Sequence, residues 1–225
     1  PDTLRRLVAP FGDPTVGAVS GLVVYDYPEA AVAEGFRAYQ RAIVSHRADD
    51  AKWGTLTSVS GSISAVRRAL YAKVPAEVST DLAIPWLVAR AGARAVFVGD
   101  AVSREQARGR SGRELRSRVR LALSAFAFTA WALRNIRATP PGYVLQLVSH
   151  KVLRWLLPVI ASVALPLALV ETPALALPIG VTFGATGLLA GLSFLPRLRR
   201  VLSPLWFAGL VALAYLVGFA RFLSG

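Results

Sequence analysis

The chain contains no cysteine. That excludes a disulfide framework, a thiolate metal site and a cysteine nucleophile. It contains two histidines, His46 and His150, too few for a multi-histidine zinc centre. It also lacks methionine, even at position 1, so it is expected to be a piece of a longer protein or one trimmed at its N-terminus. Charge is scarce as well. Only 17% of the 225 residues are charged while 54% are hydrophobic, against about 25% charged in an ordinary soluble domain. A chain this apolar is expected to be neither wholly soluble nor disordered. No phosphate-cradling loop of P-loop type and no Gly-x-Ser-x-Gly elbow occurs.

Acids are the rarer charge, 13 against 26 Lys and Arg, giving a net charge of +13. The densest basic zone is 101–155, where the only acids are Glu105 and Glu114. Such an excess suits nucleic acid or anionic lipid. Two features favour lipid and count against nucleic acid: the C-terminal part is apolar, and Phe126, Phe128 and Trp131 fall on an apolar helix rather than beside a basic stripe.

Three runs carry no charge: 155–170, 172–196 and 201–220. A spanning helix needs roughly 20 apolar residues, which the second and third provide. The first is short and holds Pro158 and Pro166, so it is expected to reach back through Val152 with Arg154 snorkelling. Lys151 and Arg154 precede the first run, and Arg197, Arg199 and Arg200 lie between the second and third. The positive-inside rule then puts these ends, and the polar N-terminal part, in the cytosol. A buried core helix or re-entrant segment is the alternative for the first run.

In the polar part, 3–11 reads as a short amphipathic helix and the Val- and Gly-rich 16–26 as a strand. Residues 31–48 have helical spacing, with Val32, Phe36, Tyr39 and Ile43. Residues 58–75 read as a strand, then a helix stopped at Pro75. Residues 80–92 read as a helix closed by Gly92, and 93–102 as a strand. This alternation points to an α/β domain, although three strands are few for a complete one. Residues 113–137 read as one helix, with Leu115, Val119, Leu123, Phe126 and Ala130 on one face. Its arginines suit the membrane interface, its apolar C-terminal half is expected to bury against the membrane domain, and Pro140 and Pro141 end it.

Few carboxylates stand at element ends: Asp81, Asp100 and Glu105. From composition alone, Asp81 or Thr80 reads first as a helix cap. His150 reads as a surface anchor beside a Trp155 in the aromatic belt, not as a metal ligand, and His46 as solvent-facing.

Five strings in order resemble a bacterial membrane-bound family-2 glycosyltransferase, a processive-synthase-like relative with the GT-A fold. They are PDTLRRLVAPFGDPTVGAVSG (1–21), GSISAVRRALYAKVP (61–75), STDLAIPWLVARAGARAVFVGDAV (79–102), LRSRVRLAL (115–123) and LQLVSHKVLRWLLP (145–158). The resemblance implies an α/β fold that divides as follows. Residues 1–112 are the C-terminal portion of a GT-A domain, 113–150 an interfacial amphipathic helix and connector, and 151–225 an all-α transmembrane region of about three helices. It implies a hexosyltransferase-type enzyme of the cytoplasmic membrane, multi-pass, with its catalytic portion facing the cytosol. That enzyme would make an inverting transfer from a nucleotide-sugar to the hydroxyl of a sugar or lipid-linked acceptor, in cell-envelope or exported polysaccharide or glycolipid synthesis.

In the resemblance, Asp81 takes the place of the general base, and Thr80 stands where the family has a neighbouring acid. Gly61 and Ser62 match the turn beside the acceptor. Arg118 and Arg120 fall where relatives carry Gln-x-x-Arg-Trp, here Ser117, Arg118, Val119, Arg120 and Leu121, and an arginine there would neutralise the leaving diphosphate. The family uses Mg²⁺ or Mn²⁺ held by an Asp-x-Asp motif that this chain lacks. The donor site is therefore expected outside these 225 residues, and the chain alone is expected to be inactive. The competing expectation is a non-enzymatic membrane protein whose basic domain binds anionic lipid or a protein partner.

Overall fold

A computed structural model describes residues 2–26, 33–106, 111–172, 174 and 199–224. The helices are α1 (Asp2–Val8), α2 (Ala33–Lys52), α3 (Thr80–Arg90), α4 (Ser111–Arg134), α5 (Pro141–Leu147), α6 (Leu153–Glu171) and α7 (Arg199–Ser224). The strands are β1 (Val16–Asp26), β2 (Ser64–Val66) and β3 (Arg94–Gln106). The chain divides into two units. The first comprises Pro1–Asp26, Ala42–Ala107 and Leu123–Leu153; the second comprises Tyr27–Arg41, Arg108–Ala122 and Arg154–Gly225.

The first unit is mixed α/β around a small sheet of order β2-β1-β3. β1 pairs antiparallel with β2 and parallel with β3. A central strand buries both faces, and the Val, Ala and Gly of β1 suit that position. Val19 joins Leu7, Ile63 and Ala101 in one cluster, while Ala18 joins Leu56, Val88 and Ala95 in another. Pairing slips between Val16 and Ala18, and Val16 falls in the cluster of Val19 rather than that of Ala18.

A second slip lies between Gly21 and Leu22, whose partners on β3 are Val98 and Val102. The unpaired Gly99, Asp100 and Ala101 form an irregularity against Gly21. A methyl group on Gly21 would lie 2.5 Å from the Ala101 carbonyl oxygen and 2.9 Å from Ile63 Cδ1. Backbone cannot step aside as a side-chain tip can, so Gly21→Ala is expected to cost at least about 1–3 kcal/mol, read as a lower midpoint in urea unfolding.

The helix expected within 58–75 does not form. After β2 there is only a 3₁₀ turn at Arg68–Leu70. The cause is tertiary: Arg67 reaches back, its Nε donating to the Val16 carbonyl at 2.6 Å and its Nη2 to those of Phe11 and Asp13 at 2.8 and 2.9 Å. Its guanidinium also lies 5.3 Å from the centre of the Phe11 ring. Four interactions on one extended residue outweigh the local helical preference, which amounts to a few tenths of a kcal/mol per residue, roughly.

The C-terminal half of α4 also differs from expectation. Phe128 is fully buried and meets Trp86 of α3 edge-on, ring centres 6.0 Å apart. This half of α4, from Leu123 to Arg134, thus belongs with the α/β unit, where an aromatic pair satisfies the apolar face.

In the second unit, the Arg118 guanidinium of α4 lies 5.2 Å from the centre of the Phe207 ring of α7. The segment Pro141–Glu171, which runs across the division, is one helix of 31 residues, long and apolar enough to cross a membrane, as is Phe207–Ser224. The helix continues through Pro158 and Pro166, and Leu157, Ile160, Val163, Leu167 and Val170 are exposed along it. The expected span 172–196 lies almost wholly outside the described residues. Trp155 is buried, so its indole is not presented to an aromatic belt.

Candidate functional site

Asp81 stands in the first turn of α3, after the N-cap position Ser79. The side chain of Ser79 makes no capping bond. Pro85 sits inside this helix and has no N–H to give the carbonyl four residues earlier, which is that of Asp81. That carbonyl accepts the Val59 amide instead, at 2.9 Å. The proline thus opens α3 to the segment that leads into Gly61.

The consequence is a close approach. A methyl group on Gly61 would lie 2.9 Å from Oδ1 and 3.1 Å from Oδ2 of Asp81. The carboxylate therefore rests against bare backbone, which only glycine permits here. Of the residues singled out in the sequence, the structure brings these two together. Ser62 follows Gly61 and is exposed. Arg118, half-buried, and Arg120, exposed, belong to the second unit.

Burial raises the Asp81 carboxyl above its ordinary value, and the positive charge of Arg47 opposes that rise. Arg47, near the C-terminal end of α2, was not singled out in the sequence. Its Nε is buried without a hydrogen-bond partner among the described residues. Burial pulls its pKa down, opposed first by Asp81, then by Tyr25 and Asp50. A guanidinium stays protonated in proteins, so Arg47 is a fixed cation in the field of the Asp81 carboxylate. Nothing in the helical spacing of α2 distinguishes it from exposed arginines such as Arg41.

Asp50 is likewise new. It is 1% exposed. Burial would push its carboxyl up, but hydrogen bonds from the Thr57 hydroxyl, His150 and the Thr57 amide, with the charge of Lys151, hold it below the ordinary range. His150 is therefore not simply a surface anchor: its Nδ1 lies 2.8 Å from Asp50 Oδ1. A carboxylate only accepts, so this nitrogen carries the proton. His150 and Lys151 sit in a π-helical turn, Val148–Val152, between α5 and α6. His46 is exposed, as expected.

Among the described residues no three His, Asp or Glu side chains converge as metal ligands do. Those residues do not fit a resident divalent cation. A shallow depression of about 320 Å³ lies at the other end of α3, lined by Trp53, Thr55, Ala89, Arg94 and Tyr143 among others. Its Arg94 is engaged by Asp13 at 2.6 Å and by Thr15 at 3.1 Å.

No family model matches the chain, and no curated protein does. Among solved structures it is similar to the mannosyltransferase PcManGT from Pyrobaculum calidifontis, determined in complex with GDP-Man and Mn²⁺. The two are 24% identical with a TM-score of 0.64, over 99% of this chain. The chain spans 58% of the length of that protein. Over nearly all its residues, the chain thus shares the fold of part of a solved glycosyltransferase.

Proposed function

We propose that this chain is the acceptor-side and membrane part of an inverting glycosyltransferase, with Asp81 as its general base. The donor is a nucleotide-sugar bound by residues outside these 225. The acceptor is a hydroxyl of a sugar or a lipid-linked sugar. Asp81 takes the hydroxyl proton as the acceptor oxygen attacks the anomeric carbon. The bond from that carbon to the phosphate oxygen breaks on the opposite face, and its electron pair leaves with the nucleoside diphosphate. Arg118 and Arg120 are proposed to meet that leaving charge. The two long apolar helices suit a multi-pass protein of the cytoplasmic membrane, with the α/β unit in the cytosol on the positive-inside rule.

One observation carries the reading. The Asp81 carboxylate is half-buried against bare Gly61, with its pKa raised, and accepts no hydrogen bond from the described residues. A structural carboxylate is satisfied by neighbours, whereas a base needs free lone pairs and an elevated pKa. The test is transfer from labelled nucleotide-sugars by the full-length protein in membranes. Loss of transfer in Asp81→Asn, with normal membrane insertion, supports the base. Undiminished transfer would falsify it.

Gly61→Ala separates geometry from folding. The added methyl meets only the carboxyl group of Asp81 and no backbone atom, so thermal stability should stay close to that of the parent protein. The displaced carboxylate should lower kcat by about 10-fold to 100-fold, since roughly 1 Å of misplacement costs that much.

Because the Asp81 pKa is raised, the acid limb of the kcat/KM profile should lie above the ordinary carboxylate value of 3.8. Ionised base is the active form, so activity should rise with pH through that limb. A limb at or below the ordinary value would exclude Asp81 as the titrating group.

A further inference from the structure

The segment Thr55–Ser60 is held residue by residue. The Thr55 hydroxyl accepts the Ala95 amide at 2.9 Å, and its carbonyl accepts Gln146 Nε2 at 3.0 Å. The Leu56 amide donates to the Ala95 carbonyl at 2.9 Å. The Thr57 amide and hydroxyl both donate to Asp50 Oδ2. Ser58 Oγ accepts from Lys151 Nζ at 2.9 Å. The Val59 amide goes to the Asp81 carbonyl, and the Ser60 amide to Ser20 Oγ, each at 2.9 Å. The next residue is Gly61, against the Asp81 carboxylate.

Asp50 anchors this strap. Its carboxylate joins the strap through Thr57 and the helix Pro141–Glu171 through His150, 100 residues away in sequence. Gln146 of the same helix also donates to the Asp50 carbonyl, at 3.3 Å. A charged group nearly without solvent contact is retained only where its hydrogen bonds are complete, and here they are spent on placing the strap.

We propose that Asp50 and His150 are positioning residues, which tie the strap Thr55–Ser60 to the long apolar helix and so keep Gly61 against Asp81. Their bearing on rate rests on the reading of Asp81 as the base; their bearing on the strap does not. His150→Leu removes the donor. His150→Asn keeps an N–H close to the position of Nδ1.

The experiment uses the full-length protein in detergent or nanodiscs, with two readouts. The first is amide hydrogen exchange. His150→Leu should speed exchange at Thr57, Val59 and Ser60 by about tenfold or more, leaving β1 and β3 as protected as before. The second is turnover. His150→Leu should lower kcat by about tenfold or more at unchanged donor KM, and His150→Asn should recover most of the rate. Unchanged exchange in the strap, or faster exchange throughout β1 and β3, overturns the proposal. So does a strap that loosens with no fall in kcat. If the parent protein transfers no sugar, the base assignment fails, and the exchange readout alone decides for or against the tie.

Discussion

Asp81→Asn is expected to lower glycosyl transfer by about 10²-fold to 10⁴-fold, the range a general base contributes, without making the protein easier to unfold. The amide keeps the shape of the carboxylate but cannot take the acceptor proton at neutral pH. The stability half follows from the direction of the pKa shift. Asp81 is raised in the fold, chiefly by burial. A group so shifted favours the fold fully below its unfolded pKa, and that contribution disappears as pH rises through the folded pKa. At neutral pH the ionised carboxylate is therefore a liability to the fold, which the amide removes. Burial is the larger cause of that shift, ahead of the opposing charge of Arg47. Thermal unfolding at pH 7 should give a Tm for the variant equal to or above that of the parent. Near pH 3 the difference should vanish. A variant that loses transfer and unfolds markedly earlier would instead mark Asp81 as a structural cap.

Trp86→Ala should produce the largest loss of stability in the α/β unit, about 3–5 kcal/mol, the usual range for emptying a buried aromatic site. Trp86 is 1% exposed. It meets Phe128 of α4 and Tyr143 of α5 edge-on, both with ring centres 6.0 Å apart. It is the side chain that seats α3, the helix whose first turn carries Asp81. A domain is stable by only about 5–15 kcal/mol in all, so this one truncation removes a large share. Trp86→Phe should recover most of the loss, because the indole Nε1 has no hydrogen-bond partner among the described residues and only ring volume is given up. Urea unfolding of the three proteins checks this. A Trp86→Ala midpoint close to that of the parent would mean that α3 is not seated by these rings.

How far the site was legible varies residue by residue. Gly61 and Asp81 were found by resemblance to a family, each in its own string, and their adjacency is visible only in space. No spacing rule joins positions 61 and 81; the link is the Asp81 carbonyl released by Pro85 and taken by Val59. In the sequence Pro85 is simply a proline in a helix. Arg47, Asp50 and the role of His150 were not legible at all. A buried arginine reads like any other until the groups around it are known, and the partner of Asp50 lies 100 residues onward. The helix expected within 58–75 fails for the same reason, since three carbonyls from residues 11–16 capture Arg67.

The sequence by itself determined what depends on neighbours along the chain. Uncharged runs long enough to cross a bilayer, the Val-rich central strand and the extents of α3 and α4 all follow from periodicity and from turn-forming residues within a few positions. The tertiary structure alone decided which carbonyl, which carboxylate and which guanidinium face one another. Such pairings span tens to a hundred residues, and each is fixed by the path of the backbone, to which local composition is blind. A buried charge therefore takes its meaning from the strand or helix brought beside it, and Asp81, Arg47 and Asp50 take theirs in that way.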